Sequence, residues 1–327
     1  MNILLLLSSI VLVSLASKRL LGGKYPAPDH GFMGRDYTTA LKGLAIVMIM
    51  LGHCGSLWTG GRMLTPLGGI GVALFLITSG YGLNESYKAH GLSNFWMKRL
   101  SKVYLPYLTV VIVWALFNWE SWNHFLLQAV CVRSMYWFVT YIIGWYILFW
   151  FCSRLLPRWR LVLFFAAGVA SVFLLPEIQA EQALSFPTGV LLSRYRESCK
   201  GIILDKRLRI TILLFIVGGG MLLLKQFPYI RTFEGTWLYH TIQLFIKFPL
   251  ALAVVAGLGA VWRWAVSPFV LISGMISYEL YLVHFPFYGY VGARLWPAVV
   301  LFVLSFAVGW YFNKLNVSSN RMLFGTR

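Results

Sequence analysis

Apolar side chains run in long stretches, many close to bilayer length, along this chain, and that feature decides most of what it can fold into. The runs fall at about 3–16, 41–58, 68–82, 103–117 and 135–152, then 161–175, 183–193, 210–224, 237–261, 269–285 and 295–312. In hydrocarbon every backbone N–H and C=O must find its partner within the protein, so such runs form helices. With 59% apolar and 12% charged residues over 327 positions, the chain lacks the polar surface of a soluble globule. The expected fold is all-α, a polytopic transmembrane helical bundle of about ten core helices preceded by one N-terminal anchor helix. The first and seventh runs are shorter than a bilayer normally requires, which points to tilted, broken or partly interfacial segments. The expected division is an anchor helix and basic loop over 1–34 and a membrane domain over 35–327.

Charge placement sets the expected topology. All of the 28 Lys and Arg except Arg62, Arg133, Lys225, Arg231, Arg294 and Lys247 fall on one side when the connections alternate, and the positive-inside rule makes that side cytoplasmic, C-terminus included. A net charge of +18 would suggest nucleic acid in a soluble protein. Here it is absorbed by the loops, no basic stripe interleaved with aromatics exists, and nucleic-acid binding is excluded. The N-terminal run has its basic residues after the apolar core, the reverse of a secretory signal, so it reads as an N-out anchor. No hydrophilic extension follows the last run, so the chemistry is expected within the bundle.

Cys54, Cys131, Cys152 and Cys199 show no ligand spacing, so no metal site is expected and small apolar packing is their reading. Cys54 and Cys131 are both placed near the outer surface, which leaves a disulfide between them open.

The most informative charges lie in the second run, LKGLAIVMIMLGHCG. Lys42 sits at its cytoplasmic end and His53 eleven residues on. In a helix that separation is about 16 Å and close to three whole turns, so both project from nearly one face. An ionisable group past the midplane is costly and marks a functional site by default, the alternative being an interhelical hydrogen bond. For Lys42 the competing reading is a snorkelling boundary lysine.

This stretch resembles the first core helix of the acyltransferase-3 family of integral membrane acyltransferases, whose pattern is Arg, ten residues, His. Further similar segments follow in order: GGIGVALFLITSGYGL from Gly68, FWMKRLSKVYLPYL from Phe95, MYWFVTYIIGWY from Met135, FPTGVLL from Phe186 and ISYELYLVHFPF from Ile276. The family's usual Arg is Lys42 here, which lacks the bidentate fork. Its frequent Asp three residues earlier is Thr39, a role that Asp36 could take. The resemblance is to a stand-alone form without an extracytoplasmic transferase domain, which implies a bacterial inner (plasma) membrane protein of the cell envelope.

The resemblance implies transfer of an acyl group, usually acetyl, from cytoplasmic acyl-coenzyme A to a hydroxyl of an extracytoplasmic or lipid-linked glycan. Acetyl-coenzyme A is the expected co-substrate, and the glycan and membrane lipids are the expected partners. Lys42, Lys98, Arg99 and Lys102 supply cations for the donor's phosphates. His53 is the expected general base. Cys54 as an acyl carrier is disfavoured, because adjacent helix positions point about 100° apart. Ser79, from the SG pair, is a further candidate for the site, against a packing role. Glu120, His124, Arg133 and Trp137 could bind a sugar, against an interfacial aromatic belt. Glu279 and His284 share one late helix with Tyr281 and complete the candidates. The competing class is a polytopic transporter or flippase, suggested by the short seventh run and by Lys247 in the membrane. It leaves the shared face of Lys42 and His53 unexplained, and a purely structural subunit would make His53 dispensable.

Overall fold

The computed structural model describes residues 2–21, 31–56, 61–288 and 295–324. Lys24 and Arg294 of the charge pattern, and the end of the second apolar run, lie outside them. The described residues form helices and turns, with no strand among them. The first helices are α1 (Asn2–Leu21), α2 (Arg35–Ser56) and α3 (Thr65–His90). Then α4 (Phe95–Arg99) runs through a π turn, Leu100–Tyr104, into α5 (Leu105–Phe117). Pro106 explains the turn. It has no N–H to offer and crowds the preceding turn, so the ladder widens just upstream, where the Leu105 N–H reaches back to the Leu100 carbonyl.

The short α6 (Trp122–Ala129) and α7 (Trp137–Leu155) follow. Next come α8 (Arg160–Leu174), the single turn α9 (Glu177–Ala180), α10 (Ser185–Arg194), α11 (Arg196–Leu224) and the single turn α12 (Pro228–Arg231). The chain ends with α13 (Trp237–Gly257), the short α14 (Trp262–Ala265), α15 (Pro268–Met275), α16 (Ser277–Tyr288) and α17 (Leu295–Phe324).

Over its described residues each apolar run is largely helix, as hydropathy requires. Among the described residues six helices, α2, α3, α4–α5, α7, α11 and α13, are long and apolar enough to cross a membrane, and the α15–α16 pair is a broken span or re-entrant segment. At 15 and 10 residues, α8 and α10 are too short to cross unaided. The basic stretch 194–209, which reads as a loop in sequence, is instead mostly the first part of α11. A non-helical Lys206 (φ −111°, ψ 19°) marks the kink where its polar part meets its apolar part.

Contacts divide the chain into two compact units, Met1–Ala89 with Arg158–Met275, and His90–Pro157 with Ile276–Arg327. In the first, α2 is the central element. Tyr37 is fully buried, donates its hydroxyl to the Val255 carbonyl at 2.7 Å and stacks on Trp262 at 5.6 Å. Helices α2 and α15 meet through reciprocal glycines. A Cβ on Gly43 would lie 1.9 Å from the Val270 oxygen, and one on Gly274 would lie 1.9 Å from the Thr39 oxygen. With no hydrophobic drive between helices in lipid, such backbone approach is what holds them. Helix α1 joins this unit through Ser14 to Ser267 at 2.8 Å and Lys18 Nζ to the Arg263 carbonyl at 2.7 Å.

In the second unit the SYELYLVH segment ties the bundle together. Tyr278 donates to the Val103 carbonyl at 2.8 Å, and Tyr136 donates to that of Leu282 at 2.5 Å. Tyr281 packs between the rings of Tyr136 and Phe138, with centroids at 5.9 and 5.3 Å.

Candidate active site

The cytoplasmic end predicted for α2 carries a cleft of about 340 Å³ within the first unit. Its walls are the first turns of α2, which contribute Arg35, Thr38 and Lys42, and the last turns of α3, which contribute Thr78, Tyr81, Gly82 and Glu85. Arg196, at the start of α11, closes it. The spacings explain the two walls, since Thr38 and Lys42, Thr78 and Gly82, and Tyr81 and Glu85 are each one turn apart on a helix face. Met33 forms part of the rim in the left-handed region at φ 55°, a conformation an ordinary side chain adopts at a cost of about 1–2 kcal/mol. It is held there by burial to 2% exposure.

The wall bearing Glu85 is stiffened by a chain of polar contacts. Arg160 lies over the Tyr87 ring at 4.4 Å and donates to Asn84 Oδ1 at 2.9 Å. Asn84 Nδ2 donates to Ser193 Oγ at 2.7 Å, whose hydroxyl donates to Glu85 Oε1 at 2.7 Å. Lys88 pairs with the same carboxylate at 2.8 Å. By contrast the buried Nε–H of Arg196 has no hydrogen-bond partner among the described residues, and the Glu197 carboxylate stands 4.0 Å away. Arg35, Lys42 and Arg196 bring three cations to the wall of one cleft, which is the chemistry of an anion site.

His53 lies three turns further along the same unbroken α2, half-buried, so the shared face with Lys42 expected from spacing is present. Beside it Gly52 meets the start of α3 so closely that a Cβ there would sit 2.6 Å from the Gly68 nitrogen. Ser79 is half-buried on α3 but is not part of the cleft wall, where Thr78 and Gly82 stand instead. Its neighbour Gly80 packs against the Phe186 carbonyl of α10. Asp36 lies in the first turn of α2 and does not line the cleft.

The remaining candidates lie in the second unit. Lys98 and Arg99 end α4 and Lys102 is exposed on the π turn. The Arg99 guanidinium sits over Phe95 and Tyr146 at 5.6 and 5.2 Å, a cation–π clamp, and its buried Nε–H has no hydrogen-bond partner among the described residues. Glu120 and His124 are brought together, Oε2 to Nδ1 at 3.1 Å, with Gln128 against the other ring nitrogen at 2.5 Å. The pocket they line holds only about 10 Å³, room for about one water rather than a sugar ring, and neither Arg133 nor Trp137 reaches it. Trp137 meets Phe138 edge-on and Tyr141 at a tilt.

Glu279 accepts from Asn313 at 3.0 Å and Asn316 at 3.3 Å on α17. His284 is fully buried, with Nδ1 2.9 Å from the Leu280 carbonyl one turn back. Both therefore have partners within the helix packing. All four cysteines are free thiols. Among the described residues no three His, Cys, Asp or Glu gather as a metal site.

Among the described residues, a wholly helical chain with several helices of membrane length is that of an integral membrane protein. Residues 35–314 match the family model of acyltransferase 3, described as an acyltransferase domain, so the chain belongs to that family and is a membrane acyltransferase. No curated protein and no solved structure matches it.

Proposed function

We propose that the protein is a membrane O-acyltransferase that moves an acyl group, acetyl in the simplest case, from acyl-coenzyme A to a hydroxyl of an extracytoplasmic or lipid-linked glycan. The observation that carries the reading is the pairing, on one helix, of a cleft lined by Arg35, Lys42 and Arg196 with His53 three turns away. The donor's phosphates suit the cleft, because guanidinium and ammonium groups pair with phosphate oxygens. Its pantetheine arm is long and thin enough to run along α2 toward His53. Lys98, Arg99 and Lys102 also carry the charge to bind phosphate in their own right.

In the step itself the acceptor oxygen bonds to the thioester carbonyl carbon while its proton passes to the imidazole of His53. The C–S bond then breaks, and the proton is delivered to the departing sulfur as coenzyme A leaves. No enzyme nucleophile is required. The reading is tested by incubating purified protein with acetyl-coenzyme A and isolated envelope glycan, following free thiol and the mass of the glycan. Acceptor-dependent thiol release with an added acetyl supports it. A transporter would leave the donor untouched.

A further inference from the structure

Lys247 stands out in sequence as a lone cation within a span, and the structure supplies its partners. It is 7% exposed and pairs with Glu181, itself 6% exposed, in the segment joining α9 to α10. Gln243 accepts from Lys247 at 2.9 Å and donates to Glu177 at 2.7 Å. The fully buried Gln182 donates to Glu181 at 3.3 Å and to the Gly69 carbonyl at 3.1 Å. That last bond leads out of the cluster to α3.

Gly69 is pressed against the pair. A Cβ there would lie 2.8 Å from Lys247 Cε and 3.0 Å from Glu181 Oε1, and Gly68 is the residue that meets Gly52 beside His53. A buried ion pair typically gains little net stability over apolar residues of the same volume, so stability alone is a weak account of why this one is present. We propose that Lys247, Glu181 and Gln182 position the catalytic histidine. They hold the first turn of α3 at Gly68 and Gly69, and that turn sets His53 through its contact with Gly52. The inference rests on His53 being the base.

The test compares the full-length protein with Lys247→Met and with Gly69→Ala, which keeps every charge but forces the glycine away from the pair. For each, kcat, acetyl-coenzyme A affinity and the rate at which diethyl pyrocarbonate modifies His53, read by peptide mass, are measured. The expected result is a kcat about 100-fold lower, the scale of an ångström-sized misplacement, with donor affinity unchanged and the His53 modification rate shifted several-fold. Wild-type kcat in folded Lys247→Met overturns the proposal, and so does a lost kcat with an unaltered His53 modification rate. If Lys247→Met does not fold, the same readouts in Gly69→Ala decide. Should the wild type prove to transfer nothing, the base assignment fails, while the modification rate still reports whether the pair positions the ring.

Discussion

The proposed donor site rests on individual side chains, and Arg196 is the most direct of them to test. It lines a cleft that Arg35 and Lys42 share, and its buried Nε–H has no hydrogen-bond partner among the described residues. Removing a charged hydrogen bond typically costs about 1.5–3 kcal/mol, so Arg196→Ala is expected to weaken acetyl-coenzyme A binding by roughly 10- to 100-fold. Calorimetry on the purified protein checks this, and unchanged affinity would remove Arg196 from the site. Arg99→Ala in the same assay separates two roles. If its guanidinium serves phosphate, affinity falls. If it serves only the clamp between Phe95 and Tyr146, the protein loses thermal stability and binds donor normally. Lys42 and His53 were legible in sequence because their relation is local, set by the turn of one helix. Arg35 and Arg196 were read only as topology charges, since it takes the packing of α2, α3 and α11 to bring them to one cleft.

At the scale of elements, hydropathy located the long apolar helices but not the short α4, α6, α9, α12 and α14, nor every boundary. Helix α1, which reads as a short run, extends to 20 residues, because a helix continues through the polar Ser17, Lys18 and Arg19 once they find partners or solvent. The 194–209 segment carries enough charge to look like a loop, yet it contains good helix formers and an apolar continuation, and becomes α11. What sequence could not show is which faces touch. The α2–α15 contact depends on Gly43 and Gly274, and neither has a local signature. Gly274→Val is therefore expected to destabilise the protein by at least about 1–3 kcal/mol, the usual cost of overpacking, and to lower the melting temperature in detergent. An unchanged melting temperature would contradict the close approach. Lys247 was visible as an oddity, but its partner Glu181 lies 66 residues away and only the fold pairs them.

For the whole molecule, the charge asymmetry of the connections predicts that tags at the C-terminus and in 194–209 report the cytoplasm and that one beside Arg231 reports the exterior. Finding the first two on opposite sides would separate the cationic cleft from its donor. In the proposed function an acyl group passes from a cytoplasmic donor to an acceptor reached near the other end of α2, with His53 as the group on which that transfer turns. The most direct measurement is acetyl transfer from labelled acetyl-coenzyme A to envelope glycan in proteoliposomes containing wild type or His53→Gln, with donor affinity measured on the same preparations. Glutamine keeps the hydrogen bonding but cannot take up the proton, so the account predicts a rate lower by about 10²- to 10⁴-fold with donor binding intact. Transfer by His53→Gln at near wild-type rate would contradict it.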